Sequence, residues 1–167
     1  MNAPRLVLTL ASLASLAPAA GASSPPVRST PLHTTNRTHA CTPGCLSTTE
    51  AVTYASYLGS KAGVAGTFEM PVRAVGAQNG HIYLNSERDY RDRNCLTVSI
   101  PVRTARVMFD NDDPEEIAKQ LKGKRIFVKG IARQIRINFF ANGQPTEKYY
   151  FQVHVLADQP EQVRLAA

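Results

Sequence analysis

At Gly66 the hydrophobic period of the chain changes from helical to strand-like, and this switch limits the possible folds more than any other feature. Before it, Ser47-Thr48-Thr49-Glu50 forms a capping box, with a hydroxyl at the N-cap and a carboxylate three residues on. Ala51, Val52, Tyr54, Ala55 and Leu58 follow at helical spacing, which predicts a short helix over residues 48–59, stopped by Gly59. After the switch, Phe68, Met70, Val72 and Ala74 alternate with Thr67, Glu69, Pro71 and Arg73, the pattern of a strand with one buried and one wet face.

The alternation then recurs. Gln78-Asn79-Gly80 supplies a turn, and a second strand follows in which Ile82 and Leu84 face inward while His81, Tyr83 and Asn85 face out. A polar segment, residues 86–94, leads to a third strand with Leu96, Val98, Ile100 and Val102 on one face. Asp113 as N-cap, Pro114 at the first helical position and Glu115 and Glu116 in the first turn then mark a helix start. Ile117, Ala118 and Leu121 give that helix an apolar side, and Gly123 ends it. Residues 124–137 read as a long fourth strand in which Gly130 marks a bulge or bend, and Asn142-Gly143 turns the chain into a fifth strand over residues 149–156.

Three strands, a helix and two more strands is the order of the five-stranded oligonucleotide/oligosaccharide-binding (OB) barrel, preceded here by the short N-terminal helix. An α+β two-layer domain is the competing architecture, because one sequence does not reveal strand pairing. The segment Gly80-His81-Ile82-Tyr83-Leu84-Asn85-Ser86-Glu87-Arg88-Asp89-Tyr90-Arg91-Asp92, with Leu96-Thr97-Val98, resembles small exported bacterial OB proteins related to the tRNA-anticodon-binding-like group. Residues 121–130 and 148–153 continue the likeness, which covers about residues 63–165 and implies the barrel fold.

The remaining chain points to export. Arg5, an apolar run over residues 6–16 and Ala20-Gly21-Ala22 have the order of a secretory signal peptide over residues 1–22, with a periplasmic or secreted destination. Residues 23–46 are rich in Ser, Thr and Pro and read as a flexible tether, residues 47–62 as the N-terminal helix and residues 63–167 as the barrel. No span of membrane is expected after cleavage. The formal charge of the whole chain is +6, a balance that fits either polyanion binding or an ordinary basic surface.

Barrels of this type bind on the outer face of strands two and three and on adjoining loops. Tyr83 on the second strand, Arg88 and Tyr90 in the 86–94 segment, Arg125, Lys129 and Arg133 on the fourth strand, and Phe139 and Phe140 in the loop after it are therefore the candidate ligand-binding residues. Aromatic faces stack on bases while cations follow the backbone, so single-stranded nucleic acid or another polyanion is the expected ligand of a non-enzymatic binding module. The competing reading of the same residues is core completion and a solvated basic face. An envelope-protein adaptor and a metal-dependent, staphylococcal-nuclease-like enzyme are the alternative functions, but the nuclease's catalytic set has no residue-by-residue match here.

Two other clusters have plainer explanations. Asp110-Asn111-Asp112-Asp113 lacks the glycine and terminal glutamate of an EF-hand loop and reads as helix capping. His39, Cys41 and Cys45 lack CxxC spacing and a fourth ligand, so no metal or cofactor is expected. Of the three cysteines, Cys41 and Cys45 are the favoured disulfide, with Cys95 the leftover thiol and a bridge from Cys95 to either of the others as the alternative.

Overall fold

A computed structural model describes residues 44–166. The capping box starts the first helix as the sequence requires: Ser47 Oγ accepts from Glu50 N at 3.4 Å, and Ser47 N donates to Glu50 Oε2 at 2.8 Å. This helix, α1 (Thr48–Ala62), is interrupted by Gly59 at φ 74°, so the glycine breaks the helix without ending it. Ala51, Val52 and Ala55 are buried, while Tyr54 and Leu58 remain about half exposed.

The strands are β1 (Cys45–Ser47), β2 (Val64–Pro71), β3 (Ala74–Gln78), β4 (His81–Asn85), β5 (Leu96–Pro101), β6 (Arg125–Ala141), β7 (Gln144–Leu156) and β8 (Val163–Leu165). They form one mixed sheet in the order β1-β2-β6-β7-β5-β4-β3, with β8 also paired to β6. The pairs β1–β2 and β5–β7 are parallel. Two further helices, α2 (Val102–Phe109) and α3 (Pro114–Leu121), lie between β5 and β6.

This corrects the closed five-stranded barrel. The hydrogen-bonded path has seven strands, with ends at β1 and β3, and β8 joins it at the side of β6. The expected first strand is two strands, divided at Val72 and Arg73. Val72 N donates to Lys124 O and Gly123 N to Val72 O, whereas Arg73 N donates to Asn85 O. Pairing therefore passes from β6 to β4 within two residues, which alternation alone does not signal.

The single helix expected between strands three and four is also corrected to two. Val102, read as the end of a strand, is the first residue of α2, a helix with no side-chain cap and only Pro101 before it. The predicted start of α3 holds: Asp113 Oδ1 accepts from Glu115 N at 2.8 Å, with Pro114 next. Both expected hairpin turns form, with Asn79 and Gly80, and Asn142 and Gly143, all at positive φ as type I′ turns require.

Gly130 marks neither a bulge nor a register break, because Gly66↔Gly130 lies inside a continuous β2–β6 ladder. A Cβ there would sit 2.7 Å from Val155 Cγ1, so the glycine permits close packing against β7. The β6–β7 irregularity lies between Asn138 and Phe140 instead.

One core holds these elements together. Phe68, Met70, Ile82, Leu84, Leu96, Ile100, Val128 and Val155 are fully buried, with Ala51 and Ala55 from α1 and Ile117 from α3. Glu69, expected on the wet face of its strand, is buried and accepts from Arg125 Nε at 2.7 Å. Cys95 is a free, buried thiol with Sγ 3.7 Å from Thr97 Oγ1, so it does not adopt the alternative bridge. Cys41 of the favoured pair lies outside the described residues, as do the signal peptide and nearly all of the tether.

Candidate ligand-binding groove

Along β7 the side chains separate by parity. Val153 and Val155 are buried in the core, and Tyr150, Gln152 and His154 occupy the opposite face. The ladders carry that face across the sheet. Asn85 pairs with Thr97, Thr97 with His154 and His154 with Arg133, giving one row over β4, β5, β7 and β6. Tyr83 pairs with Ser99 on one side and Gly76 on the other.

Tyr83, Asn85, Thr97, Tyr150, Gln152 and His154 line a groove of about 360 Å³, edged by Gly76, Ala77 and Gln78 of β3, by Ile137 of β6 and by Tyr90 from the 86–94 loop. None of the lining side chains carries a formal charge at neutral pH. Tyr83 meets the His154 ring edge-on at 6.0 Å between centroids, and Tyr150 lies 5.4 Å from Phe139. Burial pushes the His154 imidazole down from its ordinary 6.5 to about 4, and it pushes the Tyr150 phenol up. Both groups are therefore neutral at pH 7.

Side-chain hydrogen bonds fix the groove's polar groups. Gln152 Nε2 donates to Tyr90 O at 2.7 Å, tying the loop to β7, and Gln152 Oε1 lies 2.7 Å from His154 Nε2. Thr97 Oγ1 donates to Asn85 Oδ1 at 2.9 Å. The loop acids shape its turns, as Asp89 Oδ1 accepts from Arg91 N and Asp92 Oδ1 from Asn94 N. Glu87 pairs with Arg73 at 3.3 Å, and Arg91 lies over the Tyr90 ring at 5.2 Å.

The predicted binding residues divide between this groove and the rest of the molecule. Tyr83 and Tyr90 line it, Phe139 adjoins it through Tyr150, and Arg133 stands in its His154 row. Arg88 is an exposed loop residue outside the lining. Phe140 is 65 % exposed beside the hairpin turn, and it and Phe139 belong to β6, not to a loop. Arg125 is committed to Glu69. Arg125 and Lys129 stand roughly 40 and 26 Å along β6 from Ile137 at the usual rise per residue. The fourth-strand cations thus do not converge.

Gln152, His154, Tyr150, Asn85 and Thr97 are the groove residues that sequence reasoning missed. The alternation of Tyr150, Gln152 and His154 against Phe151, Val153 and Val155 is the signal that reveals their shared face. A larger cavity of about 550 Å³ lies between α2, α3 and β8, with Met108, Phe109, Leu121, Ile126 and Val163 among its lining. Its polar lining is Gln120, Lys124, Glu161 and Arg164. The Asp110–Asp113 stretch caps and pairs locally, with Asp112 bonded to Arg106 Nε at 2.7 Å.

No protein-family model and no curated protein matches the chain, so the resemblance to exported OB proteins has no family match behind it. Among solved structures, a putative aspartyl-tRNA synthetase from Leishmania major Friedlin aligns with a TM-score of 0.38 and 12 % sequence identity, covering 86 % of this chain and 23 % of that one.

Proposed function

We propose that the protein is an exported, non-enzymatic binding module, periplasmic or secreted, that holds single-stranded nucleic acid by seating a base in this groove. The observation that carries the reading is the uncharged groove walled by Tyr83, Tyr90, Tyr150 and the neutral His154. Such a surface suits the flat, uncharged face of a base, while phosphates remain outside near Arg91 and Arg133. Stacking on aromatic side chains contributes about 1–3 kcal/mol per base and tolerates different sequences. With the basic length of β6 away from the groove, few phosphates are neutralised and the salt dependence is shallow.

The test is a titration of the full chain against a fluorescent single-stranded oligonucleotide at two salt concentrations, followed by inspection of the oligonucleotide for cleavage. Tyr150→Ala is expected to weaken binding about tenfold, and Lys129→Glu to change it less than about threefold. Absence of binding at low salt, or indifference to Tyr150→Ala, overturns the reading. Cleavage overturns its non-enzymatic part. Cell fractionation tests the location.

A further inference from the structure

One atom with a single hydrogen-bonding role orients the groove's polar chain. Tyr90 O is a carbonyl and only accepts, so the Gln152 group 2.7 Å from it is the amide nitrogen. The amide oxygen therefore faces His154 Nε2, at 2.7 Å, and Nε2 must carry the hydrogen. A neutral imidazole has one N–H, which leaves Nδ1 as a lone-pair acceptor. At the other side of Thr97, Asn85 receives the threonine hydroxyl on Oδ1 and keeps Nδ2 as a donor.

Among the described residues neither His154 Nδ1 nor Asn85 Nδ2 meets a protein group, yet no buried side-chain nitrogen or oxygen there lacks a partner. Both atoms are therefore reached from outside, and the groove their residues line is where they open. An acceptor and a donor stand two strands apart across Thr97, among aromatic rings, with no charge to favour a phosphate.

Building on the nucleic-acid reading above, we infer that His154 reads the edge of the seated base, its Nδ1 accepting from the ring N–H of a keto base while Asn85 Nδ2 donates to that base's carbonyl. The ligand class is thus a lactam edge, as in thymine, uracil or guanine. A ring N–H flanked by a carbonyl is more acidic than an exocyclic amine and is the stronger donor to an imidazole lone pair. Gln152 is a positioning residue, acting through the tautomer it imposes on His154.

The test uses the full chain and oligo(dT), oligo(dC) and an oligonucleotide of N3-methylthymine, which stacks but has no ring N–H. Oligo(dT) is expected to bind about tenfold more tightly than either, the usual consequence of leaving a desolvated acceptor unpaired. His154→Phe retains a ring beside Tyr83, and with it the preference for thymine over N3-methylthymine is expected to vanish. Nitrogen-15 spectra at neutral pH, assigned by comparison with His154→Phe, are expected to show protonated Nε2 and unprotonated Nδ1. Gln152→Leu is expected to lower the melting temperature while leaving the chain folded, to mix the tautomers and to erase the preference. Equal binding of the three oligonucleotides, or a proton on Nδ1, overturns the inference while the nucleic-acid reading stands. Absence of binding by all three overturns both.

Discussion

The two halves of β6 obey the same backbone geometry and serve different ends. Over Ile126–Val128 the strand is flanked by β2 on one edge and β8 on the other, and its inward residues join the core. Beyond Ala132 it is paired with β7 alone among the described strands, and most of its side chains are exposed or half-exposed, among them Phe139 and Phe140. In the first half a cation is held by a buried partner, Arg125 by Glu69; in the second, Arg136 rests on the exposed Tyr149 ring at 4.1 Å. Aromatic residues on the flanked half are buried, whereas on the unflanked half they are exposed.

Substitutions test that division. Phe68→Ala, opposite Val128 in the flanked half, is expected to lose about 3–5 kcal/mol in urea unfolding, since it empties a fully buried site. His154 lies at the boundary between the halves, and its effect depends on pH. Its imidazole titrates near 4 in the fold against about 6.5 when unfolded, so the unfolded chain takes up the proton first. Its contribution is complete above about pH 6.5 and is lost as pH falls toward 4, by roughly 3 kcal/mol. His154→Phe should remove that component, seen as a flatter stability profile between pH 7 and 4.

Gly130→Ala is the next smaller change, expected to cost about 1–3 kcal/mol through the contact with Val155, measured by the same unfolding. At the far end, Phe140→Ala should alter stability by less than about 0.5 kcal/mol. A large loss there would show that the outer hairpin is structural, and the contrast between the halves would fail.

What could be read in advance follows from which interactions are local. The Ser47 and Asp113 caps and the two Asn-Gly turns depend on residues within a few positions of one another, and each forms as its sequence implies. The alternating apolar residues of β2, β4 and β5 likewise reach the core. Pairing depends on distant chain: the division at Val72 is set by Lys124 and Asn85, and the parallel β5–β7 contact has no local marker. The helix α2 has no local marker, because the alternation through Leu96, Val98 and Ile100 continues onto Val102 and no capping side chain interrupts it.

The groove was half legible for the same reason. Tyr83 and Tyr90 stand out as aromatics in a recognisable segment, but Gln152 and His154 acquire meaning only when β7 lies beside β5 and Tyr90 O meets the Gln152 amide. Arg125, Lys129 and Arg133 read as a shared basic strand, and only the folded chain pairs Arg125 with Glu69.

The parallel pairing of β5 with β7 also bears on how the chain reaches this state. Leu96 and Val153 are neighbours in the sheet and more than fifty residues apart in the chain. The β6–β7 hairpin closes through a two-residue turn and can assemble early, whereas the β5–β7 seam must wait until α2, α3 and that hairpin have brought its partners together. Because Thr97 and His154 meet across this seam, the groove forms late, and the proposed oligonucleotide binding should return in the last phase of refolding.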